Sequence, residues 1–424
     1  MPMRRLYSLT FLLTLGCSTQ PERVPTNTQD MQHTTDMTVT SHVDMMRAED
    51  ASPDLATLDM TENPEMSPTT QEDMSEEMTP SSQERLLTWF QTYNQGLGTD
   101  YLTQHHDTFT DGDPRYNTDN THTFLQQVAY GPHTRNVLDA WLIESPNPTP
   151  VAIFIHGGGF HQGDKDTIHN SSATIPFLLK SGISVISISY RYAYRDPVRA
   201  IESTTPDDEG SVHDENGTRV DYILRDCARA VQFVRYHAED WNINPDKIAA
   251  FGTSAGAGCA MWVGMVDDLA QPDHSDPVLQ HSSRVAVVGH LTSQPTYNLL
   301  RWPELLMMST EFLFDLLADD FQALTQHTLN DMSSTPEGQE LSWVLDFYAH
   351  MNPGDPPFFT ANTQDDIPEE ASPDTNVVIH HPRGHVALYT RCKAQDMNCD
   401  IETQIESSNY QGNALQYLAE KLLQ

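Results

Sequence analysis

No stretch of this 424-residue chain reaches the roughly 18 consecutive apolar residues that a membrane-spanning helix needs, so a transmembrane protein is not expected. Basic side chains are scarce. Lys and Arg number 23 against 60 Asp and Glu, a formal net charge of −37. Such a chain repels phosphate backbones and anionic membrane surfaces, which excludes nucleic-acid binding by charge. Cysteine is rare at five residues, with no CxxC and no Cys/His zinc spacing, so no zinc site is expected. Glycine is thin as well, 21 in all, which makes any local cluster of it informative. Apolar content is 38%, low for a wholly globular chain, and the deficit lies mostly in one segment.

That segment is 18–84, which has no Phe, Tyr or Trp and carries 15 acidic against 2 basic residues. It cannot bury enough apolar surface to offset its ordering entropy, so a disordered, self-repelling tether is expected. Ahead of it, Arg4 and Arg5 precede a mostly apolar run from Leu6 to Gly16, the plan of a signal peptide. Thr14-Leu15-Gly16-Cys17 resembles the lipobox of bacterial lipoproteins, in which the cysteine is lipidated, although Thr14 stands where Leu is usual. The expectation is a signal peptide with a lipidation cysteine over 1–17, the tether, and a globular body over 85–424. The chain would be exported and held in the cell envelope, at the outer membrane or in the periplasm, through a lipid on Cys17. With an ordinary secretory signal it would be secreted. Cys392 and Cys399, seven apart in a polar stretch, are placed to bridge in an oxidising compartment. Cys227 and Cys259 sit in apolar helical patterns and read as buried thiols.

The body alternates short apolar runs with helical periodicity. VAIFIH (151–156), ISVISISY (183–190), KIAAFG (247–252), RVAVVG (284–289) and NVVIH (376–380) read as strands, and Asp221 to His237 as a covering helix. Near-continuous apolar strands separated by helices predict an α/β fold, with a mostly parallel central sheet buried on both faces. In such sheets chemistry collects at the carboxyl ends of the strands.

Three motifs fall at strand ends. Gly252-Thr253-Ser254-Ala255-Gly256 fits G-x-S-x-G between a strand and a small-residue helix. Ser254 would stand on a tight turn, and Gly252 and Gly256 remove the β-carbons that would collide there. His156-Gly157-Gly158-Gly159-Phe160 follows the strand VAIFI, and its free N–H groups, with that of Ala255, would converge on a developing oxyanion. Gly159 extends that loop, and His156 reads as its orienter. At the C-terminal end, Asp365 follows the run Pro357 to Asn362, and His385 follows NVVIH. A serine hydroxyl attacks only if an imidazole takes its proton, and that imidazole is usually held by a carboxylate. The order Ser254, Asp365, His385 predicts such a triad, with Asp366 as rival acid. His380, His381 and His385 form HHxxxH, but without HExxH or a carboxylate helix no metal site is expected.

From about Val128 to Gln424 these motifs resemble the α/β-hydrolase superfamily, in particular esterases and lipases with an HGGG loop. VAYGPHTRNVLDAWL is similar to its early hairpin, SVISISYRYA to its strand ending in Tyr-Arg, and DWNINPDKIAAFGTSAGAG to its elbow segment. The resemblance implies Ser254 as nucleophile, His385 as base, Asp365 as acid and the N–H groups of Gly157, Gly158 and Ala255 as the oxyanion hole. It implies a small-molecule ester as substrate and no cofactor, and leaves the oligomeric state open. Asn362 departs from the pattern, standing where a glycine usually precedes the acid loop. Residues 194–219 form a polar acidic insertion. Residues 291–350 have helical patterns placed as a lid-like insertion, whose Trp302, Phe312, Phe314 and Phe321 read either as an acyl pocket or as core. The same triad serves peptide or amide cleavage, and a binding lipoprotein that keeps the fold without turnover is the alternative from another class.

Overall fold

Four of the five runs read as strands become the middle of one sheet, because β-branched and aromatic residues there are covered on both sides. The computed structural model describes residues 80–116, 121–193, 218–407, 410 and 413–424. The signal peptide, Cys17, the tether as far as residue 79 and most of the acidic insertion 194–219 lie outside the described residues. The strands are β1 (Asp107–Phe109), β2 (His122–Ala129), β3 (Val137–Ile143), β4 (Thr149–Ile155), β5 (Ser184–Ile188), β6 (Ile243–Thr253), β7 (Val287–Leu291), β8 (Phe358–Asn362) and β9 (Cys399–Thr403). Their order across the sheet is β1-β2-β3-β5-β4-β6-β7-β8-β9. The β1 to β3 end pairs antiparallel, and every pair from β5 through β9 is parallel.

Alternation along the strands divides the core. Ile153, Ile155, Ile186, Ile188 and Ala250 face helices α3 (Val220–Tyr236) and α4 (Ala255–Met265). Phe154, Val185, Phe251 and Phe359 face α2 (Thr174–Lys180) and α12 (Ala414–Leu423) on the other side. Helix α1 (Ser82–Trp89) begins inside the last residues assigned to the tether. Ser81 and Glu84 close a reciprocal capping box there, and Leu86 is fully buried.

Between β7 and β8 the chain inserts α5 (Trp302–Leu306), α6 (Thr310–Thr325), α7 (Leu329–Ser334), α8 (Pro336–Leu345) and α9 (Phe347–His350). Trp302 and Phe321 are buried in the main core, and Phe312 and Phe314 pack against it, so these aromatics are core residues. Two ties join the insertion to the segment between β8 and β9. Ser309, the N-cap of α6, donates from both N and Oγ to the Glu369 carboxylate at 2.6 Å. Arg383 donates from Nη1 to the Leu306 carbonyl at 3.0 Å.

Two local expectations are corrected. NVVIH is not a strand: Thr375–Ile379 is a short helix, α10, capped by the Asp374 carboxylate on the Val377 N–H. Only Val378 of α10 is buried, whereas a strand inside this sheet would be covered throughout. The Cys392–Cys399 bridge is formed, but not in a polar loop. Cys392 lies in α11 (Pro382–Ala394) and Cys399 opens β9, the strand at the sheet's edge. Cys227 and Cys259 are free, buried thiols.

Candidate functional site

The turn at Ser254 is forced by how closely three pieces of backbone meet. Strand β6 ends at Thr253 and α4 starts at Ala255, which leaves Ser254 at φ 55°, ψ −126°, a strained conformation for a residue with a side chain. A β-carbon on Gly252 would strike the Ile155 carbonyl, and one on Gly256 the carbonyls of Ile155 and His156. The first turn of α4 therefore packs on the end of β4, and Ser254 projects at the strand ends.

The glycine loop lies against this turn. A β-carbon on Gly157 would come within 2.6 Å of the Thr253 carbonyl and 3.2 Å of Ser254 Cβ. Gly158 and Gly159 have φ of +111° and +59°. His156 is buried, its ring stacked on Tyr190 at 4.1 Å, and Nδ1–H donates to the Gly157 carbonyl at 2.7 Å. Burial pushes its pKa down to about 3, so it stays neutral and holds the Gly157 carbonyl as a donor. Tyr190 Oη in turn donates to the His156 carbonyl.

The serine faces a different histidine from the one expected. Ser254 Oγ lies 2.8 Å from His380 Nε2. His380 Nδ1 lies 3.1 Å from the Asn376 backbone carbonyl. A carbonyl only accepts, so the proton sits on Nδ1 and the Nε2 lone pair faces the serine hydroxyl. Burial lowers the His380 pKa, with the Asn376 carbonyl acting in the opposite sense. The backbone around His380 is gripped from two sides. Asn362 Nδ2, at the end of β8, donates to the His380 carbonyl, and Gln294 Nε2 donates to the Ile379 carbonyl at 3.2 Å.

His385 is not on the serine. It is fully buried in the first turn of α11, its Nε2 accepting from the Ser293 N–H at 3.1 Å and its Nδ1 2.5 Å from Thr360 Oγ1. Asp365 is exposed. Asp366 pairs with Arg383 at 2.7 Å and with His381 at 3.5 Å. Among the described residues no carboxylate bonds to His380. The three histidines of HHxxxH thus engage three separate sets of partners. The sequence does not single out His380 over His385 as the serine's partner, because the run that ends at His380 has the composition of a strand. Its signal was Pro382, which suits the first position of a helix and so puts His385 inside α11 and His380 in the junction before it.

Residues 138–203 and 217–368, just over half of the chain, match the family model described as BD-FAE. Lipase 2 of Moraxella sp. (strain TA144) is 28% identical over 130 residues, 30% of this chain and 24% of that protein. A probable isoprenylcysteine alpha-carbonyl methylesterase of Arabidopsis thaliana is 28% identical over 176 residues, 41% of this chain and 31% of that protein. The matched segments thus span 24% and 31% of those two relatives. A solved acetyl ester-xyloside bifunctional hydrolase from Caldicellulosiruptor lactoaceticus superposes with a TM-score of 0.45 at 19% identity, covering 67% of this chain and 84% of that one.

Proposed function

Because the chain belongs to the BD-FAE family, a family of α/β-hydrolase esterases and lipases, we propose that it hydrolyses carboxylic esters through Ser254 with His380 as general base. The observation that carries this reading is the 2.8 Å approach of Ser254 Oγ to His380 Nε2 on a strained strand-to-helix turn. His380 takes the hydroxyl proton as the serine oxygen attacks the ester carbonyl. The N–H groups of Gly157, Gly158 and Ala255 receive the oxyanion, each such donor contributing ~3 kcal/mol in the transition state. His380 then protonates the departing alkoxide. Water, activated by the same imidazole, releases the acid from the acyl-enzyme.

The reading departs from a full triad. In serine–histidine–aspartate sites the carboxylate fixes the tautomer and stabilises the imidazolium. Here the Asn376 carbonyl fixes the tautomer, and among the described residues it is this dipole, in place of a bonded carboxylate, that meets the transient positive charge.

Labelling with a fluorophosphonate, and hydrolysis of p-nitrophenyl esters from acetate to decanoate, test the proposal. Both activities are expected in the wild type and lost in Ser254→Ala and His380→Ala. Full hydrolysis by His380→Ala would refute it. Export on a lipid at Cys17 is a separate proposal. A Cys17→Ala chain is expected to leave the membrane fraction, and its retention there would refute the anchor.

A further inference from the structure

The strongest remaining feature is a closed ring of hydrogen bonds beneath the serine. It involves Ser293 and Gln294, which follow β7 at the bend where Thr292 has φ 45°. Ser293 Oγ donates to the backbone carbonyl of Ser254 at 2.7 Å. The next side chain, Gln294, donates to the carbonyl of Ile379, the peptide adjoining His380. Two consecutive side chains thus hold the backbones of the nucleophile and of the base.

Buried groups hold this dipeptide in turn. The Ser293 N–H donates to His385 Nε2 at 3.1 Å, so the His385 proton sits on Nδ1 and meets Thr360 Oγ1. The Thr360 hydroxyl proton then goes to His290 Nδ1 at 2.9 Å, and His290 Nε2–H ends on the Gln294 carbonyl at 3.2 Å. The directions are settled at both ends, since a backbone N–H only donates and a carbonyl only accepts. The relay leaves the dipeptide at one residue and returns to it at the next. All five residues of this ring are buried, so a break anywhere leaves an unsatisfied polar group.

We infer that Ser293 and Gln294 are positioning residues that set the spacing between Ser254 and His380, and that the His385–Thr360–His290 relay keeps them in register. The inference rests on the ester-hydrolase reading of the same pair. It gives His385 a role beneath the site, and it replaces the orienting half of a carboxylate's work with amide and hydroxyl bonds to backbone.

The test uses the whole chain, with the rate constant of fluorophosphonate labelling at Ser254 and the kcat and KM for p-nitrophenyl acetate. Gln294→Met keeps the length of the side chain and removes the donor. Ser293→Ala keeps the N–H bonded to His385. Since a displacement of about 1 Å at a reacting pair costs up to ~10²-fold, each variant is expected to lower labelling and kcat by ~10-fold or more with KM within about twofold. The double variant is expected to lose less than the product of the two losses, because both act on one spacing. Thr360→Val is expected to lower kcat in the same way and Thr360→Ser to recover most of that loss. Melting curves separate a shifted site from an unfolded chain. Labelling retained in His380→Ala would sink the parent reading. Labelling abolished there but within twofold of wild type in both Gln294→Met and Ser293→Ala would sink the positioning role alone.

Discussion

The two halves of the site are built by different physics. On one side, the ends of β4 and β6 present the glycine loop and the elbow. There, backbone meets backbone so closely that glycine is required at 157, 252 and 256. On the other side, the loops after β7 and β8 present His380 through hydrogen bonds from Gln294 and Asn362 to backbone carbonyls. Steric exclusion leaves a mark on the residue type at the position itself. A hydrogen bond from a distant amide to a main-chain oxygen leaves none on the residue that receives it.

The largest expected effect is at His380. His380→Ala is expected to lower kcat by ~10⁴-fold or more, as loss of a nucleophile's proton acceptor does, whereas His385→Asn, which under the proposal acts through position, is expected to lose less. A His385→Asn enzyme ten times poorer than His380→Ala would reverse the assignment. On the steric side, Gly157→Ala pushes a methyl into the Thr253 carbonyl and Ser254 Cβ. A drop of ~10²-fold in kcat is expected, the scale of losing one oxyanion donor, with the melting temperature changed far less.

A third measurement concerns the buried imidazoles on both sides. His156 in the glycine loop and His290 beneath the base both fall to about 3 through burial, against 6.5 for an exposed ring. Below 6.5 the unfolded chain binds protons that the folded chain refuses. Their contribution to stability is therefore whole above pH 6.5 and declines as pH falls toward about 3. Denaturant midpoints at pH 7, 6, 5 and 4 are expected to decrease steadily, with His290→Asn flattening part of the slope; an unchanged slope would contradict the assignment. Asp365 is exposed, and the bonds of His380 go to Ser254 and the Asn376 carbonyl, so Asp365→Asn is expected to leave kcat/KM within about twofold, as surface changes do. A thousandfold loss would mean that the loop after β8 closes onto the histidine during turnover.

The same contrast explains what could be read from the chain. β4, β5, β6 and β7 were legible because buried parallel strands are apolar on both faces. The elbow was legible because glycines two residues either side of Ser254 have one steric cause. NVVIH misled because its β-branched residues suit a strand, while the Asp374 cap and the shallow burial that make it a helix are settled by tertiary packing. β9 was missed because an edge strand alternates buried and half-buried residues, so Cys399 to Thr403 looks polar. Least legible was that, among the described residues, His380 bonds to a backbone carbonyl and not to a carboxylate, since Asp365 and Asp366 both stand where the resemblance places an acid.

The ties from Ser309 to Glu369 and from Leu306 to Arg383 carry a consequence for how such an enzyme could diversify. They stitch the inserted helices to the chain segment that carries His380. A substitution that shifts the insertion is therefore expected to reach the backbone on either side of His380, so changes in the inserted helices and in turnover would be inherited together under the proposed function. Retuning one without the other would require cutting those stitches first.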